Sequence, residues 1–144
     1  MNDFPYVKIG FTGRQDGMSE KQMATVWWLL GRGPGELHHG DCVGADAQIH
    51  EMAKGLRMRI IVHPPSDSKK RAFCQGYDEI REEKPYLVRN HDIVDECELL
   101  LATPRTFHEV MRSGTWATIR YGRDKPKIDV AVILPDGSIR LEFK

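Results

Sequence analysis

Apolar positions along the chain change period several times, and each change predicts an element. Tyr6 to Gly13 (YVKIGFTG) is rich in β-formers and ends in glycine, which predicts a buried first strand opening into a loop. Ser19 and Gln22 fit a capping box. Met23, Val26, Trp27 and Leu30 follow at i, i+3, i+4 and i+7, one face of a helix that GRGPGE then stops. Leu37 to His39 predicts a short second strand, delivering the loop HHGDCVGAD, and helical spacing resumes at Ala45, Ile49, Met52 and Ala53. MRIIVHPP predicts a third strand cut off by two prolines. Residues 66 to 84 are polar and charged, which predicts a surface excursion with at most a short helix.

From Pro85 to Cys97 the pattern is helical, with Pro85 in the first turn, where its missing N–H costs nothing. ELLLATP is a continuous apolar run bounded by a turn signal, a buried fourth strand, and RSGTWATIRYG opens on serine and glycine into a helix. KIDVAVILPDGSIRLEF predicts a strand to Leu134, a Pro-Asp-Gly turn and an antiparallel return in which Ile139, Leu141 and Phe143 alternate with Arg140 and Glu142. The alternation of strands and helices predicts a three-layer, Rossmann-like α/β domain spanning residues 1–144, with a parallel sheet and a C-terminal antiparallel edge strand.

Composition narrows the function. Lysine plus arginine equals aspartate plus glutamate, 21 of each, so no net field draws the chain to nucleic acid or to an anionic membrane. The 3 cysteines, Cys42, Cys74 and Cys97, form no C-x-x-C pair, which argues against a disulfide framework and a cysteine-rich zinc site. The opening MNDFPYVKIG has no basic segment followed by an apolar run, and no apolar stretch is long enough to span a bilayer, so a cytoplasmic protein is expected.

Open α/β sheets bind ligands where loops leave the carboxyl ends of their strands. Three glycine-bearing loops fall at such ends: GFTGRQDG after the first strand, GDCVGAD after the second and RSGTW after the fourth. Glycine lets backbone N–H groups turn toward an anion, and a helix N-terminus adds partial positive charge. None matches G-x-G-x-x-G or G-x-x-x-x-G-K-[ST], which disfavours a dinucleotide dehydrogenase and a P-loop NTPase. Thr115 offers a hydroxyl and an amide to phosphate, while Arg14 and Arg112 offer guanidinium groups. Asp46, in the first turn of a helix, suits either a cap or a sugar contact; Asp41 reads as turn chemistry. Arg89 either reaches the ligand edge or pairs with Asp92 or Asp95. Trp116 reads as core or interface rather than a stacking platform for a base, and Cys42 as an inert turn residue rather than a reactive thiol. His38 and His39 are adjacent in a strand, so they point to opposite faces and do not chelate one ion together; no metal and no cofactor is expected.

GDCVGAD, RNHDIVDECELLLATP and RSGTWATIRYGRDKPK, in this order, resemble the SLOG superfamily. This group of Rossmann-like proteins holds the DNA-processing protein DprA, the YpsA-like proteins and the LOG phosphoribohydrolases. The resemblance covers about Val7 to Leu134. It implies a flavodoxin-like order of five parallel strands and a nucleotide-like ligand at their carboxyl edge. It assigns ligand contacts to Gly10 and Gly13, to Gly40, Gly44 and Asp46, to Arg89 and Asn90, and to Ser113, Gly114 and Thr115; Thr12, Arg14, Asp41 and Arg112, on or beside the same loops, are further candidate ligand contacts. It also implies a homo-oligomer, for which Trp27, Trp28 and Trp116 supply aromatic surface; light scattering should then return a mass above that of one chain.

One departure bears on activity. LOG enzymes carry G-G-x-G-T-x-x-E, whose glutamate takes part in cleaving the N-glycosidic bond, and Thr118 stands at that position here. A threonine supplies no carboxylate. Binding or sensing of a nucleotide is therefore the first reading. Hydrolysis of a nucleotide N-glycosidic bond, with Asp46 or Glu109 as the carboxylate, is the alternative. Single-stranded DNA handling is a weaker third.

Overall fold

The computed structural model describes residues 5–144; the first four residues, where the reading of the N-terminus as free of a signal segment begins, lie outside them. One 7-stranded sheet carries β1 (Lys8–Gly13), β2 (Glu36–His39), β3 (Arg59–Val62), β4 (Glu79–Ile80), β5 (Leu99–Thr103), β6 (Asp129–Ile133) and β7 (Ile139–Glu142). Four helices connect them: α1 (Glu20–Leu30), α2 (Ala45–Gly55), α3 (Tyr86–Asp95) and α4 (Gly114–Arg123). The strands are parallel apart from β7, which runs antiparallel to β6 at one edge. The α/β class and the hairpin edge follow the hydrophobic pattern.

Strand alternation divides the core in two. Ile9, Phe11, Leu37, Ile60, Val62 and Leu101 face α1 and α2, while Leu100, Ala102, Val130 and Val132 face α3 and α4. The capping box at the start of α1 is present: Ser19 Oγ accepts from Gln22 N at 3.0 Å and Ser19 N donates to Gln22 Oε1 at 3.0 Å. Gln22 is itself buried, because its amide also donates to Pro104 O and Ile133 O. The buried stripe of α1 is therefore Gln22, Val26, Leu29 and Leu30. Trp27, expected on that stripe, is instead 50% exposed beside Trp28. Trp116 lies in the core and supplies no surface for association.

The strand order is β4-β3-β2-β1-β5-β6-β7, which corrects the flavodoxin-like order that the resemblance implied. In a flavodoxin order, 2-1-3-4-5, the third strand lies on the other side of the first from the second; here β3 lies outside β2, the arrangement of a Rossmann half. Both orders satisfy right-handed crossovers and bury equally apolar strands, so the hydrophobic pattern does not separate them. The consequence is positional. The chain runs one way from β1 through β2 and β3 to β4, then returns to start the other half at β5. The loops after β1 and β5 thus diverge at the topological switch point, leaving a crevice between them.

Candidate ligand-binding site

The loop after β2 is held from inside. Asp46, buried in the first turn of α2, turns its Oδ2 back to accept from Gly40 N at 3.1 Å and Cys42 N at 3.2 Å. Arg89, on α3 and almost fully buried, donates through Nη1 to Gly40 O and to His63 O, and through Nε to Asn90 Oδ1 at 2.7 Å. Its Nη2 faces Cys42 Sγ at 3.5 Å, and its guanidinium lies over the Tyr86 ring. The expected pairing of Arg89 with Asp92 or Asp95 does not form: Lys84 takes Asp92 and Tyr121 takes Asp95. Asp41 adopts a left-handed backbone with φ 56 and accepts from Arg71 Nε at 2.9 Å and Cys74 N at 2.8 Å. It ties the polar excursion to this loop, as turn chemistry.

Gly44 caps α2 with φ 89, and a Cβ there would run into the Gln15 carbonyl, so the loops after β1 and β2 touch through bare backbone. Ala45 N donates to Arg14 O at 2.9 Å across the same seam. At the start of α4, Ser113 caps Trp116 N and Thr115 Oγ1 donates to Gly13 O at 3.1 Å. Gly114 packs against the Tyr86 ring so closely that no side chain fits. The three glycine loops therefore meet at one rim.

Above them opens a cavity of about 890 Å³ lined by Gly13, Arg14, Gln15, Cys42, Tyr86 and residues 112–115, among others. Arg14, Lys70, Arg105 and Arg112 bring four cations to its wall against the carboxylates of Asp16 and Asp67. Arg14 pairs with Asp16 at 3.1 Å and Arg105 approaches the same carboxylate at 3.7 Å. Lys70 and Arg112 meet no acid among the described residues. The N–H groups of Gly114 and Thr115, at the positive end of α4, find no acceptor there either. This volume lies within the range of small-ligand pockets.

The remaining expected residues sort by placement. Thr12, Gly40, Asp46, Arg89 and Asn90 line only a cleft of about 20 Å³ beneath the floor, close to the size of one water. Gly10 lies inside β1 against Cys97 and Ile93. Glu109 is exposed and pairs with Arg120 at 3.2 Å and Arg123 at 2.7 Å, and it does not line the cavity. Thr118 is buried and donates to Gly114 O within α4. Burial pushes the Cys42 thiol up, in keeping with an inert turn residue rather than a reactive thiol.

Sequence reasoning missed Pro65, Asp67 and Lys70, which form the wall after β3. The signal was available: PPSDSKK directly follows a strand, so it leaves the same carboxyl edge as the glycine loops. It also missed β4, whose two residues are too few to show a period.

Asp46 makes a measurable prediction. Desolvation raises its pKa from 3.8 to about 6, against the attraction of Arg89 and the two backbone donors. The folded carboxyl thus holds its proton more tightly than the unfolded one. Its ionisation weakens the fold as pH rises from about 4 through about 6, by ~3 kcal/mol when complete. Asp46→Asn keeps an oxygen acceptor without a charge. The stability of wild type minus that of the variant should fall across this window in urea melts; a flat difference would contradict the assignment.

No family model matches the chain, and no curated protein matches it. Among solved structures it is similar to that of the molybdenum cofactor binding protein from the phototrophic bacterium Rippkaea orientalis, with a TM-score of 0.65 and 17% identity over 92% of this chain and 77% of that one. At that identity the likeness is one of fold. No described helix is long and apolar enough to cross a membrane.

Proposed function

We propose that the cavity binds a nucleotide or nucleotide-derived small molecule through its phosphate, as a SLOG-type ligand-binding or sensing domain. The observation that carries this reading is the conjunction at one wall of Arg112 and Lys70, without acidic partners among the described residues, and the unbonded N–H groups of Gly114 and Thr115. Anions are favoured at such a helix end by ~0.3–1 kcal/mol, more when partly buried, and guanidinium adds bidentate donation. A small-molecule ligand also agrees with the similar fold, one representative of which binds a molybdenum cofactor.

On this reading Gly13, Arg14, Arg112, Ser113, Gly114 and Thr115 meet the ligand. Thr12, Gly40, Asp41, Gly44, Asp46, Arg89 and Asn90 hold the floor in shape. The geometry favours binding over N-glycosidic hydrolysis, because Asp46 is turned inward onto backbone amides and Glu109 lies outside the cavity wall. The free thiols of all three cysteines suit a reducing cytoplasm.

Thermal shift with nucleoside monophosphates, an NAD-like dinucleotide and inorganic phosphate tests the proposal, with uncharged nucleosides as controls and released base followed in parallel. A phosphate-bearing ligand at a hundredfold above its Kd should stabilise the fold by ~2.7 kcal/mol. Arg112→Ala should reduce that shift, and no base should appear. No shift with any phosphate-bearing ligand would overturn the proposal, and release of base would move it to the hydrolase reading.

A further inference from the structure

His38 and His39 diverge to opposite faces of β2, and each meets a second histidine: His39 Nε2 lies 2.9 Å from His50 Nδ1, and His38 Nδ1 lies 2.8 Å from His63 Nε2. The two pairs look alike and differ in proton count. In the first, Asp41 N–H donates to His39 Nδ1 at 3.0 Å, so that nitrogen carries no proton. His39 Nε2–H must then donate to His50 Nδ1, and His50 Nε2–H to Gln75 O at 2.6 Å. Every nitrogen is satisfied. A metal on His39 Nε2 would need a proton on Nδ1, which the Asp41 amide forbids. Cys74 nearby does not change this.

The second pair is open. His38 Nε2 lies 2.6 Å from Glu36 Oε1, so it carries the proton and donates to that carboxylate. His38 Nδ1 is left as a lone pair facing His63 Nε2. His63 Nδ1 has no partner among the described residues and is free to carry the proton that a metal-bound imidazole requires. Glu96, at the C-cap of α3, sets Oε2 3.8 Å from the same His63 Nε2, while Arg81 Nη2 donates to its Oε1 at 2.7 Å and Arg81 Nε lies 3.4 Å from Oε2. The three donor atoms lie within 4.8 Å of one another, with both imidazoles buried.

We propose that His38 Nδ1, His63 Nε2 and Glu96 Oε2 form a binding site for a divalent cation of the zinc class, outside the ligand cavity. Two imidazoles and one carboxylate make a tetrahedral set whose fourth position is open to water. Nitrogens bound to one zinc lie about 3.3 Å apart, so the 2.8 Å pair opens by a small ring rotation. Glu96 is 35% exposed and able to close the remaining distance. Glu36 on the far nitrogen of His38 is the carboxylate–histidine partner that fixes the tautomer and strengthens the ligand. Arg81 already pairs with Glu96 at 2.7 Å and Arg59 lies 3.7 Å from Glu36, so a divalent ion shares each carboxylate with a guanidinium group. The ligands stand on β2, on the residue after β3 and on the end of α3, so the site is placed by packed elements.

The full chain, stripped with chelator, is titrated with Zn²⁺ by calorimetry and with Co²⁺ by visible absorption. One equivalent should bind, with the strong visible bands of tetrahedral cobalt and without the near-ultraviolet charge-transfer band of a thiolate ligand. Glu96→Gln lies near the surface and preserves the fold. It should weaken binding by at least ~10-fold, and Glu36→Gln by ~10–100-fold. His50→Gln, circular dichroism unchanged, should bind as wild type. Absence of stoichiometric binding, binding indifferent to Glu96→Gln, a thiolate band, or loss of binding in folded His50→Gln would each overturn the site.

Discussion

Replacing Arg89 with methionine is expected to cost ~3–5 kcal/mol of stability at pH 8, the usual consequence of removing one partner from a buried charged network. For a chain of this size that lowers Tm by roughly 10–15 °C. Methionine fills similar volume, so a cavity is not the main term. The loss arises because Gly40 O and His63 O lose their donor and the Asp46 carboxylate loses its nearby cation. The proximity of Arg89 to Asp46 also gives the variant a pH signature. Without Arg89 the Asp46 pKa should rise above about 6, so the variant should be less damaged at pH 5, where the carboxyl is protonated, than at pH 8. Asp46→Asn in the Arg89→Met background should recover part of the deficit. Arg89→Lys should not, because a single ammonium cannot span two carbonyls and Asn90. Chemical denaturation at both pH values measures all of this, and equal losses at pH 5 and pH 8 would contradict the coupling.

Gly44→Ala should be nearly as damaging, for a steric reason. The residue sits at φ 89, where an L side chain is strained, and its Cβ would overlap the Gln15 carbonyl and the Arg14 carbonyl. Strain of this type costs ~1–3 kcal/mol before the clash is counted. Relief requires the loop after β1 to separate from the start of α2, which breaks the bond from Ala45 N to Arg14 O. The expected result is a loss of ~3 kcal/mol or more together with loss of ligand-induced stabilisation. Gly55→Ala is the control, since nothing lies within 4 Å of a Cβ at that helical end. If Gly44→Ala melts as wild type, the loops do not meet as described.

Most of the frame is legible in the sequence because local chemistry dictates it. Ser19 and Gln22 announce the start of α1, the Pro-Asp-Gly turn announces the β6–β7 hairpin, and the glycine-bearing loops after β1, β2 and β5 announce the carboxyl edge. The strand order is not legible, since equally apolar strands pack in either order and only long-range pairing decides. Trp27 was misplaced because Gln22 occupies a core position, which a polar residue does only when distant carbonyls satisfy it. The same holds for Arg89. Its sequence neighbours offer two carboxylates, whereas its actual partners are backbone carbonyls on β2's loop and after β3, invisible to any local pattern. The cavity's cationic wall from Lys70 was overlooked because the excursion after β3 has no periodicity.

The proposed function requires that loops diverging from the centre of the sheet jointly hold a phosphate-bearing guest. Backbone amide NMR of the labelled chain, titrated with a nucleoside monophosphate, tests it residue by residue. Shifts should concentrate on Gly114, Thr115 and residues 13–16, with smaller ones at residues 65–70, and should vanish when the uncharged nucleoside is used. Shifts confined to other surfaces, or equal for nucleoside and nucleotide, would contradict it.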